Sequence, residues 1–217
     1  MDLARIFGLL GTGVGYTVLV TLACSATGVV VGLAIAILGR LGWRAVDGVL
    51  GVFTYVFRGI PVLVLLFIVF FGLPTIGVSV PPLVSMMLSL GLITGAYLGE
   101  VFRGALDSVE ASEVLAAEAM GMSRVQIFAY IELPQMLRFS VPGMVNEFTT
   151  VLKYSPFGYT VGIPEVMKQA MALSAATLRG VEIYFAVGLV YFAIYKILVT
   201  AIWALEKRCR VPGLTEH

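Results

Sequence analysis

Two stretches of this chain carry no charged side chain at all, Ile6 to Gly39 and Gly59 to Gly99. Each exceeds the ~20 apolar residues that cross the hydrocarbon core of a bilayer as a helix. Composition agrees: 59% of the 217 residues are hydrophobic and 12% charged, where a soluble domain carries about 25% charge. The mean hydropathy is +1.00. The chain is therefore expected to be an all-α, polytopic membrane protein. Its net charge of +1 carries no nucleic-acid signature. Cys24, inside the first apolar run, and Cys209, in a basic tail, lie at different depths and cannot pair. With them, the lone His217 leaves no metal site, which needs three or four ligands.

In chain order, five spans are expected, at about residues 12–38, 52–72, 83–102, 134–155 and 183–205. They form a single domain over residues 1–217, with a polar loop at 107–133. The first run is too long for the apolar core of a signal peptide and lacks a cleavage site, so it reads as a retained span. It is rich in Gly, Ala, Ser and Thr, either as a close-packing seam or simply because these residues are common in membranes. Pro61 near the entry of the second span is tolerable, and Arg58 can snorkel to the interface. Leu73 to Pro82 lacks Lys and Arg and suits a short external loop. Glu100 and Arg103, at i and i+3, can pair near the membrane face; an interfacial salt bridge is favoured over a gating role.

The fourth span is the least regular, because Pro142-Gly143 invites a kink. Asn146, Thr150 and Lys153 recur at i, i+4 and i+7 and form one polar stripe, with Glu147 beside it. Ionisable groups at membrane depth cost about 2.5–3.5 kcal/mol and normally face a protein interior or a water-filled path. These four are the candidate pathway residues; pairing of helices across a subunit interface is the alternative. Residues 161–182 are mixed in character and read as an external or re-entrant helical piece. Tyr184 and Trp203 suit interface anchors of the fifth span, and Lys196 a snorkelling or buried, paired side chain.

With five spans, Arg40, Arg44, Arg103, Arg124, Arg138, Lys207, Arg208 and Arg210 fall on the side of the central loop. Arg5 alone precedes the first span. The positive-inside rule then sets the amino terminus outside and the carboxyl terminus in the cytoplasm, with the loop. Within that loop, Ser112 is positioned to cap a short helix with Leu115 and Ala119 on one face. Gly121 stands where a C-cap requires positive φ. Ser123 and Gln126 form a capping box for a second short helix, and Pro134 fits the first turn of the helix after it.

No catalytic constellation is present in the sequence. There is no G-x-x-x-x-G-K-[ST] phosphate loop, and one terminal histidine permits no Ser/His/Asp set. The chain is expected to be a non-catalytic transport subunit, driven by a partner.

The loop residues Ala116-Ala117-x-x-x-Gly121, followed by Ile131-Glu132-Leu133-Pro134, resemble the EAA…G…I-LP loop of binding-protein-dependent ABC importer permeases. Leu115 occupies the position of the family's glutamate. FRGIP (57–61) resembles FRGTP of the polar amino-acid permeases, with Ile60 replacing threonine. GAYLGEVFRGAL (95–106) is similar to GAYLAEIFRGGI. The segment from Pro142 to Lys153 is similar to PPLGNEFISLLK, although Tyr154-Ser155-Pro156 then stand where Asp, Thr and Ser are usual. The resemblance is strongest from Phe57 to Ile163. It implies the type I importer transmembrane fold, with a cytoplasmic coupling helix docking on an ATP-binding subunit through Ala116, Ala117, Met120 and Gly121. It also implies a second permease subunit, identical or sister, an external substrate-binding protein and an amino-acid-like substrate in a bacterial inner membrane. ATP and magnesium would sit on the partner, with no cofactor in this chain. The competing readings are a gradient-driven transporter or channel subunit, and a diverged structural partner in a heterodimeric permease.

Overall fold

A computed structural model describes the backbone of residues 3–209 and the side chains of residues 6–204. The side chains of Arg5, Lys207, Arg208 and Cys209, together with Arg210 and His217, lie outside the described residues. Among the described residues the chain is helical and without strands. Helix α1 (Leu3–Gly39) has 37 residues and so runs about 55 Å at 1.5 Å per residue. It is the axis on which three core clusters are strung. Ile6 and Leu10 pack with Val166, Ala170 and Ile183. Val20 and Cys24 pack with Leu66, Met86, Leu90 and Val151. Ala36 packs with Leu98, Phe102 and Met136.

After a turn at Arg40–Gly42, α2 (Arg44–Gly59) is followed at once by α3 (Val62–Phe67), which continues through a π turn and a 3-10 turn to Ile76. The two axes are bent by 101°, within the stretch expected as the second span. The cause is local. A residue before proline is pushed out of the helical region, and Ile60 is extended at φ −91°, ψ 129°. Next, α4 (Pro82–Met86) and α5 (Leu92–Asp107) join through a π turn into one run.

The α1–α5 contact resolves the question left open over the small residues. A Cβ added to Gly28 would stand 2.6 Å from Thr94 Cγ2, and one on Gly95 2.6 Å from Val31 Cβ. Gly32 and Gly99 meet Leu98 and Ile35 at 2.8 and 2.9 Å in the same way. Carbon atoms prefer about 3.5–4.0 Å, so only glycine fits, and the four-residue spacing is a close-packing seam.

The chain continues through α6 (Ala111–Ala119), α7 (Arg124–Ile127), a π turn, α8 (Leu133–Phe139) and α9 (Val141–Tyr154). A 3-10 turn, Ser155–Val161, leads to α10 (Val166–Thr177) and α11 (Gly180–Cys209). Three helical runs are long and apolar enough to cross a membrane: Ile6–Gly39, Pro82–Asp107 and Gly180–Ala204. The bent pair α2–α3 makes a fourth if counted as one span. Helix α9 has 14 residues, about 21 Å, and reaches further only together with α8. The two are interrupted at Ser140, because Pro142 has no N–H to give the Arg138 carbonyl.

One local expectation is corrected. Ser112 does not cap α6: the helix begins at Ala111 with Glu110 as its N-cap, and the Ser112 hydroxyl reaches Glu110 Oε2 at 3.5 Å. The connection from α5 is so short that the helix starts before the serine. Pro134 stands in the first turn of α8, as expected, two residues after the π turn Phe128–Glu132.

Candidate functional site

The polar loop folds into a two-helix knuckle at one end of the molecule. Gly121 has φ +82°; its N–H donates to Glu118 O at 2.9 Å, and the Met122 N–H to Ala117 O at 3.1 Å. This pair of bonds is a Schellman motif, which stops α6 and reverses the chain. Ser123 then starts α7 with a complete capping box: its N–H donates to Gln126 Oε1 at 2.8 Å, and the Gln126 N–H to Ser123 Oγ at 3.4 Å. The knuckle is fastened to the bundle by polar bonds. Arg40, at the end of α1, pairs with Glu132 at 2.7 Å, and Gln135 on α8 bonds Glu113 on α6.

Of the four loop residues expected at a docking surface, Ala116, Met120 and Gly121 are exposed. Ala117 is buried, 1% exposed, and supports the turn rather than presenting a surface. Sequence reasoning missed the large apolar side chains beside them: Leu115 and Val125 are exposed, as Met120 is. An apolar knob on an otherwise polar loop was the available signal. Next to the knob opens a cavity of about 550 Å³, lined among others by Ile37 of α1, Val114 and Glu118 of α6, and Phe128.

The other candidate group lies on α9. The stripe keeps its helical spacing: Asn146 and Lys153 are exposed, Glu147 and Thr150 partly so. Asn146 Nδ2 donates to Glu147 Oε1 at 3.4 Å, and the Thr150 hydroxyl donates back to Asn146 O at 2.9 Å. Arg58, at the end of α2, is exposed. Its guanidinium lies 4.9 Å over the Tyr97 ring and 4.0 Å from Glu100, and Glu100 also pairs with Arg103. The bend after Gly59 turns the end of α2 onto α5, so Arg58, Tyr97 and Glu100 form one charged node shared by two helices. Sequence had noticed Arg58 and Glu100 separately but could not join them. Lys196 of α11 is exposed and lies 5.7 Å from the Phe192 ring centroid.

In the connector before α10, Glu165 is fully buried. Burial pushes its carboxyl above the ordinary carboxylate range, against hydrogen bonds from Tyr191 and the Met167 and Lys168 amides.

The chain has counterparts in sequence and in fold. Residues 28–211 match the family model described as the binding-protein-dependent transport system inner membrane component. The probable amino-acid ABC transporter permease protein YckA of Bacillus subtilis is 31% identical over 201 residues, covering 90% of this chain and 87% of that protein. The histidine/lysine/arginine/ornithine permease protein HisQ of Escherichia coli is 31% identical over 210 residues, covering 89% and 91%. The octopine permease protein OccM of Rhizobium radiobacter is 34% identical over 197 residues, covering 85% and 80%. Among solved structures, an amino acid ABC transporter crystallised with histidines superposes with a TM-score of 0.86 at 26% identity, over 96% of this chain and 99% of that one. The inward-facing MetNI methionine transporter, 20% identical with a TM-score of 0.77 over 97% and 100%, shares the fold. Sequence and fold agree over nearly the whole length, and the chain belongs to the permease subunits of binding-protein-dependent ABC importers, in their polar amino-acid group.

Proposed function

We propose that this permease lines the path for an amino acid or a related polar solute, with its amino terminus outside, its carboxyl terminus cytoplasmic and five crossings of the inner membrane. It pairs with a second permease subunit, itself or a sister, and with two ATP-binding subunits, and receives solute from an external binding protein. ATP and magnesium are held by the ATP-binding pair. The knuckle is the lever: Ala116, Met120 and Gly121, with Leu115 and Val125 beside them, sit in a groove of the ATPase, while Ala117 keeps the turn rigid from within. Closure of the ATPase pair moves the knuckle as a body and switches the bundle between two packings. Asn146, Glu147, Thr150 and Lys153 line the path, and the Arg58–Glu100 pair offers both signs of charge to a zwitterion.

The observation that carries this reading is the knuckle itself. Its exposed apolar knob is held by a Schellman turn and a capping box, so it transmits force instead of folding away. The test is ATP hydrolysis by the complex purified with its ATPase, wild type against Gly121→Arg, with and without binding protein and amino acids. Substrate-dependent stimulation in the wild type and its loss in the variant are expected, because a side chain is strained at φ +82° and stands at the docking face. Hydrolysis indifferent to the loop, or no ATPase in the complex, would return the chain to a gradient-driven or structural role.

A further inference from the structure

The node near α5 does not use the most deeply buried carboxylate of the molecule. Glu165 is 0% exposed. Its Oε1 accepts the Lys168 N–H at 2.8 Å, and its Oε2 accepts both the Met167 N–H at 2.8 Å and the Tyr191 hydroxyl at 2.7 Å. The adjacent Val166 N–H donates to Thr17 Oγ1 of α1 at 3.3 Å. The backbone here touches α1 directly, since a Cβ on Gly13 would stand 2.6 Å from Val166 N. None of these partners is a cation. The Lys168 ammonium turns instead to the Gly162 carbonyl, at 2.7 Å, at the end of the 3-10 turn that prolongs α9.

Capping alone does not account for this residue. Ser, Thr, Asp and Asn are the efficient N-caps, and a desolvated carboxylate is costly where an apolar residue would pack. What the longer glutamate adds is reach: it caps α10 and grips Tyr191 on α11 at once. We propose that Glu165 is a positioning residue for transport, locking α10 to α1 and α11 and, through Lys168 and Gly162, holding the end of α9 remote from the knuckle. The lock obliges α9 to tilt only together with α1 and α11. This rests on reading α9 as the pathway helix.

The test uses the full complex in proteoliposomes with its ATPase and binding protein, supplied with a mixture of radiolabelled L-amino acids. ATP hydrolysed per amino acid taken up is compared for wild type, Glu165→Gln, Tyr191→Phe and the double variant. Each single variant removes one charge-assisted hydrogen bond or its charge, and a rise of about tenfold in the ratio is expected. The double variant should be no worse than the worse single, because both act on one lock. A merely structural role lowers hydrolysis and uptake together and leaves the ratio unchanged; that result in both single variants overturns the proposal. A wild type without binding-protein-dependent uptake would instead overturn the importer reading beneath it.

Discussion

A tight approach of α9 to α5 gives a prediction whose sign depends on one neighbour. A Cβ on Gly143 of α9 would stand 2.5 Å from Val101 Cγ1 and 3.0 Å from its Cγ2, yet 3.4 Å from its Cβ. The shortfall against ordinary carbon contact is about 1 Å for the methyl groups, and it nearly vanishes for the stem. Valine in a helix has one strongly preferred χ1, so the methyls cannot simply rotate aside. In the wild-type background Gly143→Ala should cost a net ~0–2 kcal/mol, an overpacking penalty of about 1–3 reduced by the ~1 kcal/mol that alanine gains over glycine in a helix. After Val101→Ala the methyls are gone. The same Gly143→Ala change should then stabilise by about 1 kcal/mol, which makes the coupling between the two sites about 1–3 kcal/mol, the overpacking penalty itself. Unfolding can be followed by a thiol-reactive fluorophore in a Cys209→Ser background, because Cys24 is fully buried and reacts only when the bundle opens. Equal effects of Gly143→Ala in both backgrounds, of either sign, would refute the argument that α9 is seated on α5 through this glycine.

Two further outcomes are expected. Glu147→Gln removes the carboxylate charge beside Asn146 while keeping that contact sterically possible; uptake in proteoliposomes should fall several-fold and substrate preference should change, whereas unchanged uptake and preference would assign Glu147 to helix packing. Ser123→Ala deletes one half of the capping box. It should cost about 1 kcal/mol, seen as a lower thermal midpoint, and should weaken stimulation of the ATPase at temperatures where the wild-type knuckle is intact; a midpoint and stimulation equal to wild type would show that the box does not hold the knuckle.

What was legible in sequence follows the range of the forces concerned. The apolar runs read directly, because absence of charge is a property of each run alone. Gly121 and the Ser123–Gln126 box read correctly for the same reason: φ sign and capping are settled within a few residues. Ser112 failed as a cap because the length of the α5–α6 connection, not its own propensity, decided where α6 begins. The four-residue glycine spacing was visible on α1, but not its partner, since only packing reveals that Val31 faces Gly95 and Thr94 faces Gly28. The contact of Arg58 with Tyr97 and Glu100 could not be read, because one extended residue before Pro61 redirects α2 and with it the destination of a long side chain. Glu165 read only as one charge in a mixed segment, as glutamate is not a preferred N-cap and its partner Tyr191 is distant in sequence.

These contrasts also say where the molecule can move. The α1–α5 seam places side-chain stems within 3 Å of where any Cβ would stand, and interfaces of that kind do not deform gradually; α1 and α5 must travel together. The chain is interrupted elsewhere, at Ile60–Pro61 between α2 and α3 and at Ser140 between α8 and α9. At both breaks a proline has removed a helical hydrogen bond, so a change of angle there sacrifices no regular structure. Arg58, just before the first break, is tied to Glu100 of α5, while the knuckle is fastened to α8 just before the second. A push on the knuckle therefore reaches the Ser140 break first and the Glu147 end of α9 next, with the Glu165 lock resisting at the far end. That ordering places both hinges at prolines already visible in the sequence, and it leaves the glycine seam as the fixed frame against which they turn.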